Sequence, residues 1–139
     1  MKLRSKFERR IAGHLTAESI KWKYEVTSYS YNLKVLHSYC ADCGSKEVYN
    51  EKWYTPDFFI GDVIIEAKGK FTAVERKKML AMKLEHPTLD LRLLFMRDNK
   101  LHPRSTTRYT DWAKANGYKC AVGEIPQEWI EEFKKNEEK

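Results

Sequence analysis

The sequence predicts an α/β fold, a small mixed central sheet flanked by helices, and three observations carry that expectation. Apolar residues recur at helical spacing near the start, at Phe7, Ile11 and Leu15. Residues 63–68 alternate in the manner of a strand, and Leu89 to Met96 is a nearly continuous apolar run broken by Asp90 and Arg92. From residue 54 onward the expected order is β–β–α–β–α–β–α, which suits a sheet covered by helices. With 139 residues, 42% hydrophobic and 13% aromatic, the chain suits one domain (1–139) with a moderate core.

The elements follow in order. Residues 4–18 read as a helix, and Ser5-x-x-Glu8 has the spacing of a capping box at its start. Residues 22–36 alternate instead (Trp22, Tyr24, Val26, then Tyr29, Tyr31, Leu33, Val35), and the change of parity across Thr27-Ser28 predicts a bend or bulge. With a turn at Ala41–Gly44 and an extended stretch from Val48 to Ile60, residues 22–60 suggest a long hairpin, of which 22–53 form a ribbon or bridge. Gly61-Asp62 marks a tight turn into the strand Val63–Lys68. Thr72 and Glu75 repeat the capping-box spacing and open a helix to about Glu85, stopped by Pro87. A strand to Met96, a basic loop to Thr107, a helix ending near Gly117, a strand at Tyr118–Val122 and a helix begun by Pro126 complete the chain, with fraying expected after Phe133. Trp112 and Trp129 read as core anchors.

The net charge of +6 is unevenly placed. Residues 124–139 hold six glutamates against three lysines, so the rest of the chain carries +9, the footprint expected for a polyanionic partner. Lys2, Arg4, Lys6, Lys70, Arg76, Lys77, Lys78, Arg104 and Arg108 are candidate phosphate contacts, with Arg76 and Lys77 favoured because they closely follow the strand ending at Lys68. Such contacts position a duplex without reading its sequence. The basic start runs into Phe7-Glu8-Arg9-Arg10 rather than an apolar segment, so no secretory signal and a cytoplasmic setting are expected. No apolar run approaches the ~20 residues that span a bilayer.

The most informative stretch is Tyr54-Thr55-Pro56-Asp57-Phe58, followed by Ile64-Ile65-Glu66-Ala67-Lys68. Residues two apart on a strand share a face, so Ile64, Glu66 and Lys68 point one way while Val63, Ile65 and Ala67 point the other. A hairpin turning at Gly61-Asp62 brings Asp57 beside them. Magnesium is held by one or two carboxylates with waters elsewhere, and it neutralises charge on a phosphoryl group under attack. A neighbouring lysine can orient or deprotonate the attacking water. Asp57 and Glu66 are therefore candidate metal ligands, and Lys68 the candidate water-positioning residue. The competing reading is a plain Glu66–Lys68 pair on an exposed edge strand.

At this point the sequence resembles the phage endonuclease I family of Holliday-junction resolvases, within the PD-(D/E)XK nuclease superfamily. The matching blocks are Arg4-Ser5-x-x-Glu8, Tyr54-Thr55-Pro56-Asp57-Phe58, Glu66-Ala67-Lys68-Gly69, Arg76-Lys77-Lys78, Glu85-His86-Pro87-x-Leu89-Asp90-x-Arg92 and Ile125-Pro126-x-Glu128-Trp129-Ile130. They fall in the family's order and span nearly the whole chain. The resemblance implies a catalytic set of Glu8, Asp57, Glu66 and Lys68, with Asp57, Glu66 and Glu8 around Mg²⁺ (Mn²⁺ as a substitute). It also implies a substrate of branched, four-way DNA and an intertwined, domain-swapped homodimer in which Glu8 joins the other chain's Asp57, Glu66 and Lys68. Glu8 thus has two readings, capping partner and catalytic carboxylate. The match at Arg4 and Ser5 favours the second.

Two departures stand out. The segment before Tyr54 is longer than in the family, and the C-terminal end is acidic where the family's is basic. The longer segment holds His37, Cys40 and Cys43, half of a tetrahedral zinc site, whose fourth ligand would be Cys120 or a second knuckle across a dimer axis. Reduced cysteines at a turn are the alternative. Two other functions stay open at this stage: a sequence-specific or mismatch-directed nuclease on the same fold, and a DNA-binding module without catalysis.

Overall fold

The computed structural model describes the backbone of residues 3–40 and 44–137, and the side chains of 3–34 and 48–137. Helix α1 (Lys6–Ala17) begins at Ser5, whose hydroxyl accepts the Glu8 N–H, and buries Phe7, Glu8, Ile11, Ala12 and Leu15 along one face. β1 (Lys23–Tyr24) pairs antiparallel with β4 (Phe58–Ile60). Glu25 then turns the chain out of the sheet: its φ is +50°, a left-handed backbone that favours glycine. Its N–H donates to the Asp57 carbonyl at 2.9 Å. The expected bend therefore exists but begins at Glu25, ahead of Thr27-Ser28.

β2 (Tyr29–Cys40) and β3 (Gly44–Tyr54) form a separate antiparallel ribbon with a register shift between Lys34 and Leu36. The hairpin expected over 22–60 is thus divided between two sheets. Near its base the ribbon is anchored. The Asn32 backbone and side-chain amides both donate to Glu85, at 2.6 and 2.9 Å. His86 Nε2 lies 2.7 Å from the Ser30 carbonyl oxygen. Tyr31 and Tyr54 are buried in the core on one ribbon face, while Tyr49 and Trp53 stay exposed.

Gly61, at φ +59°, makes the turn from β4 into β5 (Val63–Lys68). α2 (Ala73–Glu85), capped by Thr72, leads to β6 (Asp90–Phe95), and α3 (Tyr109–Ala115) leads to β7 (Cys120–Val122). β5, β6 and β7 run parallel, while β1, β4 and β5 are antiparallel neighbours, giving a mixed five-stranded sheet β1-β4-β5-β6-β7. The expected fold class is observed. α1 and α4 (Gln127–Glu137) supply Leu15, Ile130 and Phe133 to one core with Ile65 and Leu94, and α2 and α3 supply Met79, Met82 and Ala113 to a second with Ile64 and Leu93.

α4 does not fray after Phe133. It continues to Glu137, whose carboxylate accepts the Lys21 N–H at 2.7 Å, and Lys134 pairs with Glu18 at 2.5 Å. Arg92, which breaks the apolar pattern of β6, is fully buried. It donates to both oxygens of Asp90 and both of Glu132, and lies over the Trp129 ring at 5.1 Å.

Candidate active site

β5 presents Val63 and Ile65 to the core under α1 and α4, and Ile64 to the core under α2. Alternation then places Glu66 and Lys68 on the α2 side. Phe58 pairs with Ile65, so Asp57 lies beside Glu66 at the end of the β4–β5 hairpin. The two carboxylates interlock through backbone amides. The Asp57 N–H donates to Glu66 Oε1 at 3.1 Å, and the Ala67 N–H donates to Asp57 Oδ2 at 2.9 Å.

Lys68 Nζ pairs with Glu66 Oε2 at 2.9 Å and is also joined to Glu75, at the start of α2. Glu75 holds Lys78 at 2.9 Å as well. Glu8 arrives from α1. Its Oε1 accepts the Tyr24 hydroxyl at 3.0 Å, and its Oε2 accepts the Arg4 N–H at 2.9 Å. Its backbone N–H meanwhile donates to Ser5, so Glu8 serves the helix start and faces the interior together. Glu8, Asp57, Glu66 and Lys68 are 6%, 7%, 5% and 8% exposed. That burial removes the reading of Glu66 and Lys68 as a solvated edge pair, since charged groups are seldom buried in such number.

The electrostatics follow from the crowding. Burial, with Glu66 and then Glu8 nearby, pushes the Asp57 carboxyl up to about 8 despite the Ala67 hydrogen bond. Lys68 moves upward too: burial opposes its charge, but Glu66 and Glu75 outweigh that. Lys68 is therefore an ammonium at neutral pH. It can orient a water and offset phosphate charge, and it is not poised as a base. Among the described residues, no three His, Cys, Asp or Glu side chains converge closely enough to make a metal cage. Asp57 and Glu66 nonetheless suit magnesium, which keeps several waters, and the upward push of Glu66 and Glu8 on the Asp57 carboxyl marks negative charge that a dication would offset.

The profile of the family described as Phage endonuclease I matches residues 1–138. The chain belongs to the phage endonuclease I family. Endonuclease I of Escherichia phage T7 is 32% identical over 134 residues, covering 95% of this chain and 80% of the relative. Endodeoxyribonuclease 1 of Enterobacteria phage T3 is 31% identical over 134 residues, covering 95% and 79%.

The candidate DNA contacts of this phage endonuclease I family member divide by their present bonds. Lys6, Lys70, Lys77 and Arg104 are exposed. Arg4 pairs with Glu25 at 2.7 Å, and Arg108 donates to the Asp98 carbonyl at 2.8 Å. Arg76, half-buried, donates to the Phe71 carbonyl at 2.7 Å, and Lys78 lies 4.5 Å from the centre of the Tyr54 ring. Arg76 and Lys78 thus hold the α2 start in place, leaving Lys77 as the open cation of that block. Lys2, Cys43 and the side chains of His37 and Cys40 lie outside the described residues, and the zinc expectation with them. Cys120, its proposed companion, is a half-buried thiol in the main sheet, raised by burial. Among the described residues, no helix is long and apolar enough to cross a membrane.

Sequence reasoning gave no site role to Tyr24, Tyr54 or Glu75. Glu75 was explained by the capping-box spacing, and its N–H does bond Thr72 at 3.3 Å, but its carboxylate goes to Lys68 and Lys78 instead.

Proposed function

We propose that this protein is a magnesium-dependent endodeoxyribonuclease that recognises branched DNA and resolves four-way junctions by paired nicks. The observation that carries the reading is the buried interlock of Asp57 and Glu66 beside Lys68, in a chain of the phage endonuclease I family. Magnesium at Asp57 and Glu66 would supply neutralising charge to the phosphoryl group being cut, and manganese shares the preference for oxygen donors.

The chain's own groups do the rest. Lys68, fixed between Glu66 and Glu75, holds its ammonium where it can orient the attacking water and offset phosphate charge. Glu8, oriented by Tyr24 and the Arg4 N–H, adds a third carboxylate on the Asp57 side. Lys6, Lys70, Lys77 and Arg104 are exposed to meet phosphates, which suits recognition of branch shape rather than base sequence.

Paired nicks need two sites, and a two-fold homodimer provides them. Within one chain α1 and β1 bring Glu8 to the site, and the same contacts can form with α1 and β1 exchanged between chains, the kink at Glu25 serving as the crossing point.

The test is to incubate the protein and Mg²⁺ with an immobile four-way junction and with its linear arms of identical sequence, alongside Glu66→Ala. Symmetric nicks near the branch, absent from the arms and from the variant, are the expected result. Equal cutting of both DNAs would replace the junction with a sequence-specific or mismatched duplex as substrate. Binding without cutting would reduce the protein to a DNA-binding module.

A further inference from the structure

Tyr54 ends β3, at the point where the ribbon meets the site, and pairs across the ribbon with Tyr29. It is 5% exposed, within the apolar core that includes Ile64, Phe71 and Met79. Its hydroxyl oxygen is buried and faces the Glu66 carboxylate, but makes no well-formed hydrogen bond to it. Buried tyrosine hydroxyls usually complete such a bond, and a buried polar group left without one is destabilising. A hydroxyl held against Glu66 without a well-formed bond is a donor whose bond a small movement of that carboxylate would complete. Burial first, and then the facing carboxylates of Glu66 and Asp57, keep it protonated, well above the ordinary tyrosine range.

Both Glu66 oxygens are engaged, Oε1 by the Asp57 N–H and Oε2 by Lys68. An ion bound by Glu66 needs one of those oxygens. We propose that Tyr54 is the positioning residue for Glu66 in the ion-loaded protein, donating its hydroxyl to that carboxylate when Glu66 exchanges a present contact for a divalent ion. Carboxylates that bind metals are themselves hydrogen-bonded, and that second bond fixes their orientation. Because Tyr54 belongs to the ribbon, the placement of the ribbon against α2 through Asn32 and His86 sets the geometry of the ion site.

This inference rests on the reading of Asp57 and Glu66 as ion ligands, and the experiment keeps the two apart. Full-length wild type and Tyr54→Phe are titrated with Ca²⁺ by calorimetry, melted in EDTA, and assayed for junction cleavage across Mg²⁺ concentrations. Tyr54→Phe is expected to melt in EDTA at or above the wild-type temperature, since no well-formed bond is lost there. Its Ca²⁺ affinity falls about ten- to hundredfold, and its cleavage falls at limiting Mg²⁺ and recovers as Mg²⁺ is raised. Equal Ca²⁺ affinity in the two proteins would overturn the role of Tyr54 while leaving the ion site standing. A lower melting temperature in EDTA would also overturn it, by showing that the hydroxyl is bonded in the ion-free chain. Absence of Ca²⁺ binding to wild type would overturn the ion site and this inference together.

Discussion

The Lys68 ammonium and the Glu75 carboxylate form a direct ion pair across the gap between β5 and the start of α2, with Glu66 on the lysine's other side at 2.9 Å. One lysine is thus clamped by two carboxylates, only one of which is a candidate metal ligand. Once Glu66 is committed to an ion, Glu75 is the contact that keeps Lys68 in place. Glu75→Gln is expected to lower single-turnover junction cleavage about tenfold, within the range of a misplaced acid–base group, with junction affinity unchanged. Placed on Lys68→Met, the same change should cost nothing further, because the two residues act as a unit. Additive losses would assign Glu75 to stability instead.

Asp57 is expected to make the protein's stability in EDTA depend on pH. Its folded value of about 8 lies above its ordinary value of 3.8, so the folded chain holds the proton more tightly than the unfolded chain. The stability it contributes is therefore greatest below about pH 4 and is lost as pH rises toward 8. In EDTA, Asp57→Asn is expected to flatten this decline and to be more stable than wild type at pH 8, on the order of 1–3 kcal/mol. The asparagine oxygen can still accept the Ala67 N–H, while cleavage should be lost at every pH. Thermal melts from pH 5 to 8.5 measure it. An unchanged slope would show that Asp57 is ionised throughout.

Much of this site was legible because a strand's two-residue period is geometry. Ile64, Glu66 and Lys68 had to share a face, and Gly61 had to return the chain so that Asp57 met them. The position of α1 was not legible that way, and Glu8 entered through family resemblance alone. Glu75 and Tyr54 escaped because their roles depend on how α2 and the ribbon dock onto β5, contacts between segments far apart in sequence. The order of the C-terminal tail is hidden from the sequence for a similar reason. Residues beyond Phe133 look polar and weakly helical alone, and they are held by Lys21 and Glu18 from the other end of the chain.

The two uses of Glu8 can be separated. Capping alone predicts that Glu8→Gln serves nearly as well. A glutamine retains an oxygen for the Arg4 N–H or the Tyr24 hydroxyl but loses the charge beside Asp57. Glu8→Gln is expected to melt within about 3 °C of wild type, just under about 1 kcal/mol for a domain of this size. Its junction cleavage should fall about a hundredfold or more. Cleavage at the wild-type rate would confine Glu8 to the helix start.

Arg92 is buried whole, but its partners Asp90 and Glu132 are 41% and 39% exposed. The cation is therefore the desolvated member, and stranding it is worse than removing it. Asp90→Ala with Glu132→Ala should cost about 3–5 kcal/mol in urea unfolding. Arg92→Met, which keeps apolar volume against Trp129 and Phe133, should cost well under that. The opposite ranking would mean that the guanidinium itself holds α4 to the sheet.

Lys77 and Arg76 are neighbours in sequence with different duties. Arg76 is half-buried and donates to the Phe71 carbonyl, so its removal disturbs the entry to α2 as well as any phosphate contact. Lys77 is exposed and makes no such bond among the described residues. Lys77→Ala is therefore expected to weaken junction binding while leaving the melting temperature unchanged, and to reduce the slope of log affinity against log salt by about one. Arg76→Ala should lower both affinity and melting temperature. A Lys77→Ala protein with the wild-type salt slope would place the duplex away from this face of α2, leaving Lys6, Lys70 and Arg104 as the cations to test next.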